Sequence, residues 1–161
     1  MKFNETYSYG DADVEAVFGL ISSQEFRTES GEESGASDID VDVDESGGGV
    51  TITIVRTQPA EMPDFVKKLT GDTVKVKQTE KWSAPADDGS RRADVKVSII
   101  GQPAEMLGTA VLESTGGGTS FTVSGDVTVK IPFIGKKIEP EVAKAIRGSL
   151  KNEVELGMTR L

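Results

Sequence analysis

The sequence contains no cysteine and no histidine in 161 residues. Lack of cysteine excludes disulfides, thiolate nucleophiles and Cys-based zinc sites, and is compatible with a reducing compartment. Lack of histidine removes the commonest general base and the commonest transition-metal ligand, and with them Ser-His-Asp triads, zinc hydrolase centres and facial-triad iron sites. No cofactor or metal is expected. Long hydrophobic runs are also missing, and none approaches the roughly 20 residues of a bilayer span, so no integral membrane association is expected. Positive charge is in short supply: 18 Lys and Arg face 27 Asp and Glu, a net charge of −9. Such a chain repels a phosphate backbone, and its lysines form no basic block, so nucleic acid is not an expected partner. The acidity reads as a solubility device. The opening MKFNETYSYG alternates polar and apolar residues where a secretory signal would need an apolar stretch, and a cytoplasmic protein is expected.

Hydrophobic residues make up 36% and charged residues 28% of the chain. That composition suits one globular domain over residues 1–161, which should bury about 70% of the surface of its unfolded chain. Residues Lys2 to Tyr9 alternate, with Phe3, Glu5, Tyr7 and Tyr9 on one side. Asp11 or Asp13 then caps a short helix whose Val14, Val17, Phe18 and Ile21 share a face. Ser22 with Glu25 has capping-box form and starts a second short helix carrying Phe26. The run Asp38 to Asp44 alternates aspartate with Ile39, Val41 and Val43, predicting a strand with a wet acidic face. A calcium loop beginning at Asp38 would require glycine and glutamate where Val43 and Gly49 stand. Gly47 to Gly49 turn the chain into Val50 to Thr57, a second strand of a hairpin. Neither this glycine run nor Gly116 to Gly118 is followed by the Lys-Ser/Thr pair of a phosphate loop.

Pro63 and Gly71 bracket one or two helical turns containing Phe65, Val66 and Leu69, readable as core packing or as a lid. Three more alternating stretches follow, Thr73 to Ser83, Arg92 to Ile100 and Glu105 to Ser114, and then Thr119 to Ile131, in which Gly125 marks a bulge or bend. From Ile138 the period becomes helical. Ile138, Val142, Ile146, Leu150, Val154 and Met158 form one stripe, about 35 Å long. Strands joined by tight turns pair antiparallel, and a sheet with one apolar face needs a cover. The long helix is the only element large enough, so the expectation is an α+β fold: a seven-stranded curved antiparallel sheet wrapped around a C-terminal helix, with two short helices after the first strand.

This order, with FIGKKIEPEVAKAIRGSLKNEVELG (Phe133 to Gly157) after the last strand, resembles the helix-grip fold of the START-like superfamily, which includes polyketide cyclases and birch-pollen-type allergens. Within it, VKIPFIG (Val129 to Gly135) and the proline-led turn at Met62 to Leu69 resemble an uncharacterised, mainly actinobacterial family that brings no established activity. The resemblance implies a cavity between sheet and helix, which relatives use for sterols, lipids, hormones or polyketide intermediates. Mapped onto this sequence, its lining is Ile52, Ile54, Val76, Gln78, Glu80, Trp82, Val95, Val97, Phe121, Val123, Ile146 and Leu150.

Gln78, Glu80 and Arg56 stand out because alternation places them among apolar neighbours, where a carboxylate must find a partner or a proton. One reading has Glu80 and Gln78 orienting a ligand's polar end while Trp82 packs on its body; another pairs them with an arginine or leaves them solvated. The expected function is binding of a hydrophobic or amphipathic small molecule, as carrier or sensor. The alternatives are a cyclase or dehydratase using Glu80 as acid or base with Tyr7 assisting, and a protein-interaction module whose cavity its own side chains fill. A cavity under about 300 Å³ favours the last, and Glu80 within reach of a tyrosine favours the enzyme.

Overall fold

Runs of alternating residues punctuated by glycine and proline become seven strands in the computed structural model, which describes residues 1–161. In chain order the elements are β1 (Lys2–Ser8), α1 (Val14–Ile21), α2 (Gln24–Glu33), β2 (Ser37–Ser46), β3 (Gly49–Pro59), α3 (Asp64–Thr70), β4 (Thr73–Trp82), β5 (Arg91–Ile99), β6 (Ala104–Ser114), β7 (Thr119–Val129) and α4 (Gly135–Arg160). They form one sheet in the order β1-β7-β6-β5-β4-β3-β2, and every neighbouring pair is antiparallel. Consecutive strands from β2 to β7 are neighbours, joined by turns and, between β3 and β4, by the short helix α3. The exception is the step from β1 to β2, which lie at opposite edges. α1 and α2 carry the chain between those edges.

Local chemistry sets where these two helices begin. Asp13, and not Asp11, caps α1 by accepting from the Ala16 amide at 2.8 Å. The cap of α2 is Ser23, which accepts from the Phe26 amide at 3.2 Å, one residue later than the expected Ser22. Ser22 instead closes α1, its hydroxyl donating to the Phe18 carbonyl at 2.6 Å. Starting α2 at Ser23 buries both Phe26 and Arg27.

Gly108 of β6 and Gly125 of β7 stand opposite each other. A Cβ on Gly108 would collide with the Ser124 carbonyl oxygen, and one on Gly125 with that of Leu107. The pairing runs through both positions without an inserted residue, so Gly125 is not a bulge. Backbones that approach this closely tolerate only glycine.

α4 lies across the concave face and has 26 residues, about 39 Å at 1.5 Å each. It starts earlier than Ile138 because the Glu139 carboxylate accepts from the Val129 amide at 3.1 Å, tying the first turns to the end of β7. Ile138, Val142 and Val154 are buried, whereas Ile146 and Leu150 are only half-buried. The stripe does not extend to Met158, which is 43% exposed. α3 sits between Pro63 and Gly71, whose φ of 81° supplies the left-handed turn that stops the helix. Only its Val66 is buried. No helix is long and apolar enough to cross a membrane.

Candidate ligand cavity

In the middle of α4, Ile146 and Leu150 pack against the core yet stay half-buried. Between the helix and the sheet lies a cavity of about 300 Å³. Antiparallel pairing orders its walls. Position along each strand decides what a concave-facing side chain meets. Val76, Ile99 and Ala104 line the main chamber, while the facing wall is Val142, Ala145 and Ile146 of α4. One step deeper, Gln78, Val95, Ala110, Phe121 and Val123 line an inner chamber of about 50 Å³ with Leu150 above them. Arg56, Val97, Met106, Ile146 and Ser149 belong to both chambers and form the neck. Glu61, Glu105, Glu141 and Lys144 lie on the main chamber's wall, and each is exposed or half-exposed.

The inner chamber reaches Glu80, which belongs to a buried ion cluster. Arg27, whose side chain is 3% exposed, places both terminal nitrogens on the Glu80 carboxylate, at 3.2 and 2.5 Å. It also donates to the Ile21 carbonyl at 3.0 Å, and its Nε lies 3.4 Å from the Glu153 carboxylate of α4. Glu80 accepts two further bonds, from Gln78 at 2.6 Å and from the Trp82 indole at 2.9 Å. Burial pushes the Glu80 carboxyl up, but the charge and hydrogen bonds of Arg27, with those of Trp82 and Gln78, outweigh it and hold the pKa below 4.5. Glu153 goes the other way. Burial raises its pKa and Glu80 adds repulsion, and together these exceed the pull of Arg27 and Arg56. The Tyr9 hydroxyl, also buried, has no hydrogen-bond partner.

Arg56 is the second cation of this region. Its Nε donates to the Gln58 side-chain oxygen at 2.7 Å and one terminal nitrogen to that of Gln78 at 3.3 Å. No carboxylate lies within ion-pair distance of it. Burial lowers its pKa from the ordinary arginine value. A polar relay thus runs Arg56, Gln78, Glu80, Arg27 from the neck to the floor.

Of the residues expected to line a cavity, Val76, Gln78, Glu80, Val95, Val97, Phe121, Val123, Ile146 and Leu150 do face one of the two chambers. Ile52, Ile54 and Trp82 face neither: they lie further along the same concave face and are fully packed. Trp82 stands edge-on to Phe18 of α1 with centroids 5.6 Å apart, so its ring is spent on the core. The lid formed by Phe65 and Leu69 is also absent, since both are exposed, at 43% and 42%, and Met62 reaches the chamber instead. Between the two readings of Glu80, pairing with an arginine is what forms. A carboxylate held ionised by four donors has neither the raised pKa of a general acid nor lone pairs to offer a ligand. Tyr7 points elsewhere, its hydroxyl donating to the Arg147 carbonyl at 3.4 Å. Sequence reading passed over Arg27, Glu153, Gln58 and Met62.

Solved structures of other proteins share this fold. A norcoclaurine synthase from Thalictrum flavum, solved with dopamine and hydroxybenzaldehyde, superposes with a TM-score of 0.54 at 14% identity, over 96% of this chain and 83% of that one. The Zhui aromatase/cyclase from Streptomyces sp. R1128 gives 0.61 at 9% identity, over 99% and 92%. At these identities the likeness establishes the fold alone, a helix-grip fold. By sequence, the chain is 34% identical over 100 residues to the uncharacterized protein Rv0481c of Mycobacterium tuberculosis, an alignment covering 59% of this chain and 57% of that protein's length. Residues 6–161 match the family model described as protein of unknown function (DUF2505), and the chain belongs to that family.

Proposed function

We propose that the protein binds one hydrophobic or amphipathic small molecule between the sheet and α4, as a cytoplasmic carrier or sensor. The observation that carries this reading is the half-buried middle of the α4 stripe, Ile146 and Leu150, above a cavity of about 300 Å³. A helix that served only to close the core would have no reason to leave two large aliphatic side chains half-covered, because each buried CH₂ is worth about 0.8 kcal/mol. The volume is at the lower end of the roughly 300–1,000 Å³ range of small-molecule sites. It suits a short acyl chain or a small aromatic body with room to protrude at the mouth, and it is too small to enclose a sterol. That a helix-grip structure is known with dopamine and hydroxybenzaldehyde supports occupancy by molecules of this size.

The test is a neutral probe, N-phenyl-1-naphthylamine, followed by its fluorescence gain on binding. Val97→Trp places a ring across the neck, where Val97 lines both chambers. The variant should weaken probe binding by about tenfold or more while retaining a cooperative melt, tenfold corresponding to 1.4 kcal/mol. Equal binding by the variant and the parent would place the probe outside the cavity and remove this function. Native mass spectrometry of protein purified from its own host should show an adduct of small mass.

A further inference from the structure

Arg56 is a charged side chain set at the neck of a mostly apolar cavity, and the carboxylates nearest to it are already engaged. Glu80 takes both terminal nitrogens of Arg27, and Glu153 approaches Arg27 through Nε. Arg56 receives only two amide oxygens, those of Gln58 and Gln78. A guanidinium carries five N–H donors, so three of the five remain unused beside the chambers that Arg56 lines. Glu153 and Glu80 act on Arg56 through space without reaching ion-pair distance, and a planar carboxylate matches its fork bidentately.

We propose that the cavity selects a monoanionic amphipath, a carboxylic acid with a short acyl or aryl body, whose carboxylate docks on Arg56 and whose body lies along Val97, Met106 and Ile146 toward the mouth. This rests on the binding function above and adds the head-group chemistry. The single charge follows from the neighbours: a dianion such as a phosphate monoester would face Glu80 and Glu153 beyond Arg56. The carboxylates Glu61, Glu105 and Glu141 on the main chamber's wall are exposed or half-exposed and screened by salt, so they slow the encounter more than they oppose the bound state. About ten non-hydrogen atoms fill the main chamber if each takes the roughly 30 Å³ of a water molecule, which sets the enclosed part of the ligand near the size of decanoate.

The experiment compares decanoate, decanol and decyltrimethylammonium as competitors of N-phenyl-1-naphthylamine on the unmodified protein, each below its critical micelle concentration. Decanoate should bind about tenfold tighter than decanol and the ammonium weakest, as a charge-assisted bidentate pair requires. Arg56→Gln should bring decanoate and decanol within about threefold of each other, and Arg56→Lys should restore part of the preference, since it keeps the charge but not the fork. Decanol equal to decanoate on the unmodified protein would overturn the head-group assignment, and this comparison does not depend on any variant folding. Loss of all three competitors in a folded Arg56→Gln would do the same by showing a steric role. If the probe binds and Val97→Trp abolishes it, yet decanoate shows no preference, the cavity function stands and only the anion assignment falls; if no competitor displaces the probe and Val97→Trp binds it as the parent does, both fall.

Discussion

Replacing Arg27 with methionine tests the ion cluster that floors the cavity. The substitution keeps an unbranched apolar stem, two atoms shorter, but removes both bonds to Glu80, the bond to the Ile21 carbonyl and the ion pair with Glu153. Glu80, with a side chain only 7% exposed, is left with Gln78 and Trp82 as its donors. Stripping one partner from a buried pair costs about 3–5 kcal/mol, because the remaining charge is stranded in a poorly polarisable surrounding. For a chain of this length each kcal/mol moves the midpoint by about 2–4 °C, so thermal melts followed by circular dichroism at pH 7 should fall by about 6–20 °C. Because the cost is a stranded charge, Arg27→Met combined with Glu80→Gln should melt above Arg27→Met alone. A drop under about 2 °C, or a double variant less stable than the single one, would refute the reasoning that Glu80 depends on Arg27.

The two carboxylates of the cluster should respond to pH in opposite senses. Glu80, whose folded pKa lies below 4.5, adds stability at neutral pH that disappears as pH falls through the folded pKa, so Glu80→Gln should cost most at pH 7 and little in strong acid. Glu153, whose folded pKa lies above 4.5, stabilises most when protonated and loses that contribution as pH rises through the folded pKa; Glu153→Gln should therefore equal or exceed the parent's urea midpoint at pH 7, with the difference closing toward pH 4. A loss above about 1 kcal/mol in Glu153→Gln at pH 7 would contradict this. Gly108→Ala drives a methyl into the Ser124 carbonyl, a backbone atom that cannot rotate away, and should destabilise by about 3 kcal/mol or more in urea titrations, at the upper end of overpacking costs.

Strand periodicity made most of the architecture legible in the sequence, because an alternating run states both its conformation and its buried side. That is why Val76, Gln78 and Glu80 could be placed on the concave face from sequence, and why the long helix could be assigned as its cover. Alternation does not state how far along a strand the cover lies. Ile52, Ile54 and Trp82 share that face with the cavity residues but sit where packing is complete, so face alone over-counted the lining. Arg27 escaped because α2, QEFRTESGEE, has few apolar residues and reads as a solvated helix. Its partner is 53 residues away, and no local pattern links them. The shift from Ser22 to Ser23 has the same origin: two adjacent serines offer equal caps, and the burial of Phe26 and Arg27 selects one.

Whether a small molecule lies beneath the middle of α4 can be read from a methyl-resolved NMR titration with decanoate. Saturable shifts are expected at the methyls of Val97, Met106, Ile146 and Leu150, with Ile52 and Ile54 nearly unmoved because they are packed outside both chambers. Shifts confined to exposed methyls such as those of Leu69 and Leu107, or none at millimolar ligand, would contradict binding beneath α4.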